Sequence, residues 1–339
     1  MDKGEIIFDD LHRQVIFPKT CCCCGTCVSA CPTGSIRQNY QGFPYHVGTC
    51  IECGACFYVC PRSTFPVEEI EELTFGKKRE DDLLGVYETM YSVTSIDDEI
   101  RKRMQDGGGV TSLLKGAFES ELIDGAIVTG TSSRHPWLAV PMIASSYEEA
   151  LSGAGTKYTL SPVNSLLREA VERRFERLAF VGTPCQIRGI RKMQYNSQYA
   201  GRMADVVKYS IGLFCMDNFY DDLIKLLVER FYGIDLKNVV KCNIKGKNFI
   251  VTCNEENIKI PLTRVNHYLR EGCKVCDDFT AEFADISVGS VGSDDGYSTL
   301  IIRNENGREI FNAGKKYLKV EEIHNPELIR KLSERKRKH

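Results

Sequence analysis

Eight cysteines in two runs constrain this chain more than any other feature. Cys21, Cys24, Cys27 and Cys31, followed by Pro32, fit C-x2-C-x2-C-x3-C-P. Cys50, Cys53, Cys56 and Cys60, followed by Pro61, fit it again. This doubled run is the arrangement of bacterial two-cluster ferredoxins, in which the fourth cysteine of each run ligates the other cluster. Three thiolates at short intervals wrap one face of a cubane, and the fourth cannot fold back to it. The expectation is one 4Fe-4S centre on Cys21, Cys24, Cys27 and Cys60, and a second on Cys50, Cys53, Cys56 and Cys31. Zinc is the competing occupant, but zinc sites rarely repeat an eight-ligand pattern. The quartet "CCCC" at 21–24 leaves Cys22 and Cys23 surplus. Free cysteine behaves as a small hydrophobe, so both read as small buried filler. A one-residue shift of the ligand register is the alternative.

The cysteine total bears on compartment. Sixteen cysteines in 339 residues do not suit a disulfide scaffold, which belongs to oxidising compartments and usually to much shorter chains. The opening "MDKGEIIFDD" is acidic and lacks an apolar signal core. The chain is therefore expected in the cytoplasm, either free or peripheral on the cytoplasmic face of a membrane complex. Apolar residues make up 42% and charged residues 27%, as in ordinary soluble proteins. A formal net charge of -2 implies no bulk attraction to nucleic acid or membrane. No stretch approaches the roughly 18 apolar residues of a spanning helix.

Six cysteines lie outside the ferredoxin runs. Cys185 in "GTPCQ" and Cys215 in "GLFC" each end a strand-like run, and Cys273 and Cys276 form a CxxC pair. Together these four can build a third cubane; a redox-active CxxC at 273–276 is the rival. Cys242 and Cys253 lie in alternating sequence and read as structural thiols.

The chain divides into a ferredoxin domain at 1–64, a charged connector at 65–85, an α/β domain at 86–325 and a basic tail at 326–339. The tail, "KLSERKRKH", reads as a solvated helix end. Strands are expected at 125–130, 177–182, 206–215 and 284–289, and helices at 110–120, 162–175 and 219–232. Residues 239–261 alternate tightly and predict an antiparallel hairpin. The fold class is thus a bacterial-type two-cluster ferredoxin domain joined to an α/β domain with a parallel or mixed sheet.

Two glycine-rich turns stand out in the α/β part. Gly107, Gly108 and Gly109 open an apolar helix-like run. Bare amides at a helix N-terminus favour a phosphate, and Thr111 can add a hydroxyl. A tight structural turn is the alternative. Gly155, Thr156, Lys157 and Tyr158 form a second loop, and "VGSVGSDDGYS" at 288–298 a third. There is no G-x-G-x-x-G and no P-loop, so a Rossmann or P-loop nucleotide site is not indicated. No G-x-S-x-G or H-E-x-x-H occurs, the six histidines are scattered, and Trp137 reads as packing. Clusters pass single electrons. An organic cofactor in the body would handle pairs, and a flavin joins the two regimes.

These pieces together resemble one family. The doubled ferredoxin motif, "FGKKREDDLLGVY" (75–87), "DGGGVTSLL" (106–114), "AGTKYT" (154–159), "VGTPCQIRGIRK" (181–192), "IGLFCMDNF" (211–219) and "EGCKVCDDFTAEFADISVGSVGS" (271–293) span nearly the whole chain. They are similar to the beta-subunit family of coenzyme F420 hydrogenases and dehydrogenases, in particular the ferredoxin-bearing input subunits of the dehydrogenases. The resemblance implies FAD in the α/β body, with contacts from Gly107–Thr111 and Gly155–Tyr158. It implies a flavin-proximal cluster on Cys185, Cys215, Cys273 and Cys276, making three 4Fe-4S clusters in all. Coenzyme F420 would be the substrate, its hydride passing to FAD and single electrons leaving through the clusters. Lys157 would sit by the reduced ring. Partners would be other subunits of an electron-transfer complex: a membrane-bound dehydrogenase, a hydrogenase or a heterodisulfide-type reductase. The alternatives are a reductase of the same fold for another conjugated ring, and an electron-transfer adaptor without a substrate.

Overall fold

A computed structural model describes residues 6–254 and 256–338. The first five residues of the 1–64 segment, Glu255 of the 239–261 hairpin and His339 of the tail lie outside the described residues. Thirteen strands are assigned among the described residues: β1 (Ile36–Gln38), β2 (Pro44–His46), β3 (Thr89–Ser95), β4 (Gly125–Thr131), β5 (Ala139–Ala144), β6 (Leu178–Gly182), β7 (Val207–Leu213), β8 (Val239–Lys245), β9 (Asn248–Cys253), β10 (Glu256–Pro261), β11 (Ile286–Gly289), β12 (Ser298–Ile302) and β13 (Leu318–Glu322).

The body is an eight-stranded mixed sheet in the order β13-β3-β12-β11-β7-β6-β4-β5. Its centre, β4-β6-β7-β11, is parallel. The four expected strands are these four. Each is a short apolar run buried on both faces, the usual signature of a parallel strand under helices. The strands β3, β5, β12 and β13 pair antiparallel and fall outside the expected runs. Polar residues such as Ser92, Thr94, Lys319 and Glu321 dilute the apolar signal of β3 and of its edge neighbour β13.

Helices cover both faces. Gly109–Glu119 and Glu305–Gly314 pack on one side through Leu113, Leu114, Ala117, Ile310 and Phe311. Leu167–Glu172 and Pro184–Tyr195 pack on the other through Leu167, Ile187 and Ile190. The expected 219–232 helix is Leu223–Phe231, with wide π-type turns. The hairpin region is a three-stranded antiparallel sheet, β8-β9-β10. Cys242 is buried in its core, and Trp137 and Cys253 pack against that core.

The connector and the tail differ from expectation. Residues 65–85 include a helix, Val67–Phe75, whose Ile70 is fully buried in the body's core. Residues 326–339 are not a solvated helix end: Pro326–Arg337 is a docked helix that buries Ile329, Ser333 and Lys336. One carboxylate joins the two segments. Glu282, 1% exposed, pairs with connector Arg79 at 2.6 Å and with tail Arg337 at 2.7 Å; Arg79 also pairs with buried Glu71. Burial pushes the Glu282 carboxyl up to about 7. Charge alone made both segments look solvated, because composition does not reveal which ions have a buried partner.

The N-terminal module is seated by side chains of the body. Arg168 donates to Ser29 O at 2.7 Å and to Cys31 O at 2.5 Å. Asn164 donates to Thr26 Oγ1 at 3.0 Å, Asn196 to Tyr58 O at 3.0 Å and Arg270 to Gln41 O at 3.1 Å. Removing one partner of a buried ion network leaves the others uncompensated. Glu282→Ala should therefore cost about 3–5 kcal/mol, read as a lowered midpoint in chemical denaturation.

Candidate functional site

The ferredoxin cysteines gather around two pockets. One is lined by Cys21, Cys22, Cys23, Cys24, Cys27 and Cys60. The other is lined by Cys31, Cys50, Cys53 and Cys56. Each fourth cysteine has thus crossed to the opposite pocket, as the spacing predicts. The helices Thr26–Ala30 and Ala55–Tyr58 present the middle thiols. Cys50 and Cys53 are exposed, which puts the second pocket at the surface. Burial pushes the thiols up: Cys56 to about 12 and Cys60 to about 11. Among the described residues no group of three or more His, Cys, Asp or Glu is arranged to hold a single metal ion.

A third thiol set lies in the body. Cys185 stands in the first turn of Pro184–Tyr195, behind the Thr183 cap. Cys215 follows β7, and its N–H donates to Phe279 O at 2.9 Å. Cys273 and Cys276 flank a tight turn, with the Cys276 N–H donating to Cys273 O at 3.2 Å. The four lie near enough for their charges to interact. The Cys215 thiol is raised first by burial, then by the neighbouring Cys273, Cys185 and Cys276. Burial likewise pushes Cys273 up to about 12.

Cys22 and Cys23 do not share a role. Cys23, 1% exposed, turns inward with φ 56°, and its thiol donates to Cys21 O at 3.8 Å. It is the buried filler expected. Cys22 differs in its surroundings: its thiol lies beside that of Cys185. The first pocket and the third set therefore meet. Gly272 permits that approach, since a Cβ there would lie 2.4 Å from Cys21 O and 3.2 Å from Cys22 Cα. Arg62 occupies the junction, donating to Val275 O at 2.9 Å and Gly272 O at 3.0 Å, while its Nε is buried without a partner. No motif marks Cys22 or Arg62 in the sequence; only the contact between two distant segments reveals them.

The glycine loops converge on the far side of this set. Gly109 opens the helix Gly109–Glu119, whose first-turn amides lack intrahelical acceptors. Gly107 is required by packing, because a Cβ there would lie 2.2 Å from Val93 O and 2.3 Å from Ser298 N. Gln105 bridges the loops: its Nε2 donates to Cys242 O at 3.1 Å, and its Oε1 accepts from Thr156 N–H at 3.5 Å. Gly155 has φ 88°, and a Cβ there would meet nothing nearer than Arg103 O at 4.0 Å, so its outer side is open. Lys157 directs its ammonium at its own loop, donating to the carbonyls of Gly153, Ala154 and Gly155. Burial lowers it to about 8. The Tyr158 hydroxyl accepts from Ile244 N–H at 3.1 Å. From this loop, Tyr158 O accepts from Phe219 N–H at 3.0 Å, and the next residue back, Asn218, offers its carbonyl to the Cys273 thiol at 3.8 Å.

Thiol pockets in a segment that matches the 4Fe-4S dicluster domain model over residues 13–80, joined to this body, define an iron–sulfur oxidoreductase subunit. Residues 90–168 match the N-terminal domain of the coenzyme F420 hydrogenase/dehydrogenase beta subunit, and residues 175–326 match its C-terminal domain. The chain belongs to that family. It is 40% identical over 230 residues to the coenzyme F420 hydrogenase subunit beta of Methanothermobacter thermautotrophicus, covering 67% of this chain and 81% of that one. It is 31% identical over 337 residues to a subunit of the F(420)H(2) dehydrogenase of Methanosarcina mazei, covering 96% of this chain and 91% of that one. A chain in the solved F420-reducing NiFe hydrogenase complex from Methanosarcina barkeri superposes with a TM-score of 0.73 at 36% identity, covering 76% of this chain and 91% of that one. No helix among the described residues is long and apolar enough to cross a membrane.

A methyl group at position 272 has no room beside Cys21. Gly272→Ala should destabilise the fold by about 1–3 kcal/mol, the usual cost of overpacking, measured by thermal denaturation.

Proposed function

We propose that the chain is a coenzyme F420 oxidoreductase subunit that exchanges a hydride with reduced or oxidised coenzyme F420 and single electrons with a partner complex, in either direction. The observation that carries this reading is the unbroken succession of sites. The loop at Gly155–Tyr158 adjoins Asn218, Asn218 adjoins Cys273, Cys185 adjoins Cys22, and the two ferredoxin pockets lead on to exposed Cys50 and Cys53.

In this reading FAD, when bound, converts between a hydride and single electrons, and 4Fe-4S clusters carry the electrons singly. The ligand sets are Cys21, Cys24, Cys27 and Cys60; Cys31, Cys50, Cys53 and Cys56; and Cys185, Cys215, Cys273 and Cys276. The donor chemistry fits. The orphaned Arg62 Nε lies buried by Cys22, Cys185 and Cys276, where a cluster sulfur would accept its hydrogen bond.

The glycine loops hold the flavin by backbone. The first-turn amides at Gly109–Thr111 lack intrahelical acceptors, and in this reading they take a phosphate of the flavin cofactor. Lys157 acts as a strap that keeps the 153–157 turn closed, and so supports the site without charging the ring directly. Gly107 keeps the first loop flush with β3 and β12. The partner meets the face around Cys50 and Cys53, and the working location is cytoplasmic, free or at the inner face of a membrane complex.

The test is anaerobic purification, assay of flavin and iron, and addition of reduced coenzyme F420 under a spectrophotometer. Bleaching of flavin and cluster absorbance with return of the oxidised deazaflavin band is the expected result. Flavin without a response to the deazaflavin would point to another conjugated substrate, and no flavin after reconstitution to an adaptor. Cys276→Ser should lower iron from about twelve per chain to about eight, the content of three and two cubanes.

A further inference from the structure

The turn bearing Cys273 and Cys276 is gripped by two cations from distant parts of the chain, half-buried Arg62 and fully buried Lys336. Arg62 comes from the ferredoxin module and holds the carbonyls of Val275 and Gly272. Lys336 comes from the C-terminal helix Pro326–Arg337, which lies almost wholly beyond the residues 175–326 matched by the family's C-terminal domain, and its side chain is 1% exposed. Its ammonium donates to Met216 O, to Cys273 O at 3.3 Å and to Asp217 Oδ1 at 3.3 Å.

These charges are only partly matched locally. Arg62 donates to two carbonyls, with the Cys276 thiol and the Asp277 carboxylate nearby, and Lys336 has one carboxylate, Asp217, which is 30% exposed. A buried charge without a partner is costly, so such groups are normally paired. An iron–sulfur cubane on four thiolates is anionic, and each reduction adds one electron to it. Fixed positive charge beside it favours the reduced form.

We propose that Lys336 and Arg62 are positioning residues that hold the reduction potential of the third cluster up, and that the C-terminal helix is the device that delivers the first of these charges. This rests on the reading of Cys185, Cys215, Cys273 and Cys276 as a cluster site. The two cations differ in reach. Lys336 faces Cys215, Cys273 and Cys276. Arg62 also touches the first pocket, since its backbone N–H donates to Cys60 Sγ at 3.4 Å and its guanidinium acts on Cys22. Lys336 should therefore tune one cluster and Arg62 two.

The experiment is a redox titration of the full anaerobic chain followed by electron paramagnetic resonance, with iron assayed on every sample. Lys336→Gln should lower one midpoint by at least a tenfold change in the one-electron equilibrium, about 59 mV, and leave the other two in place. Lys336→Arg, which keeps the charge, should retain the wild-type value. Arg62→Gln should lower two midpoints. Asp217→Asn removes the carboxylate that opposes Lys336 and should raise the same midpoint that Lys336→Gln lowers, which keeps the test decisive if the Gln variant assembles poorly. Three unmoved midpoints with full iron in Lys336→Gln, or no rise in Asp217→Asn, would overturn the proposal while leaving the cluster reading intact. A wild-type chain holding about eight irons, the content of two cubanes, would overturn the cluster reading and the proposal together.

Discussion

The arrangement depends on one close approach: the backbone of Cys21 and Cys22 against the turn at Gly272–Cys276. It joins segments some 250 residues apart in sequence. No larger residue fits at Gly272, and the approach is secured by Arg62, whose two bonds to that turn cross from the ferredoxin module to the body. Other side chains of the body, such as Arg168 and Asn196, also seat the module, but this contact is the one that brings its cysteines to those of the body. With it the thiols of Cys22 and Cys185 are neighbours. Electron transfer between metal centres requires short distances, and on the proposed reading this contact is where electrons cross between module and body.

The rest of the architecture serves that approach. The parallel centre of the sheet places Cys185 and Cys215 at the ends of β6 and β7, on adjacent strands. Ligands and cofactors in open α/β sheets gather outside the carboxyl ends of such strands. Asp285, at the start of β11, accepts from Arg191, Ser210 and Asn304, tying the helix after Cys185 to β7 beneath the site. Arg303, fully buried, donates to Leu84 O, Val86 O and Thr280 O, which fixes the end of the connector against the sheet. Polar groups this deep are stabilising only when fully partnered. Here they brace the walls of the third cysteine set.

The local parts of this design were legible in the sequence. Cysteine spacing foretold which fourth thiol crosses to which pocket, because a cubane's geometry acts over a few residues. The central strands were legible because burial on both faces leaves a continuous apolar run. The antiparallel strands β3 and β13 were not, since partial exposure admits serine, threonine and lysine. The connector and the tail were misread for one shared reason. Glu71, Arg79, Glu282 and Arg337 look like surface charge in one dimension and become a buried network only when 65–85, 282 and 337 meet in space. Cys22 and Cys23 read alike in sequence, and only the fold separates them, by setting Cys22 beside Cys185.

The central claim is that the third cysteine set and the first ferredoxin pocket are adjacent stations of a single path. Electron paramagnetic resonance of the fully reduced, anaerobically purified chain tests it directly. Adjacent paramagnetic clusters broaden and split one another's signals and relax faster together. The account predicts that the wild-type spectrum carries a coupling beyond that between the two ferredoxin clusters, and that this extra splitting disappears in Cys276→Ser, where the third station is lost. A third signal that is sharp and uncoupled, with the ferredoxin signals unchanged in Cys276→Ser, would contradict it.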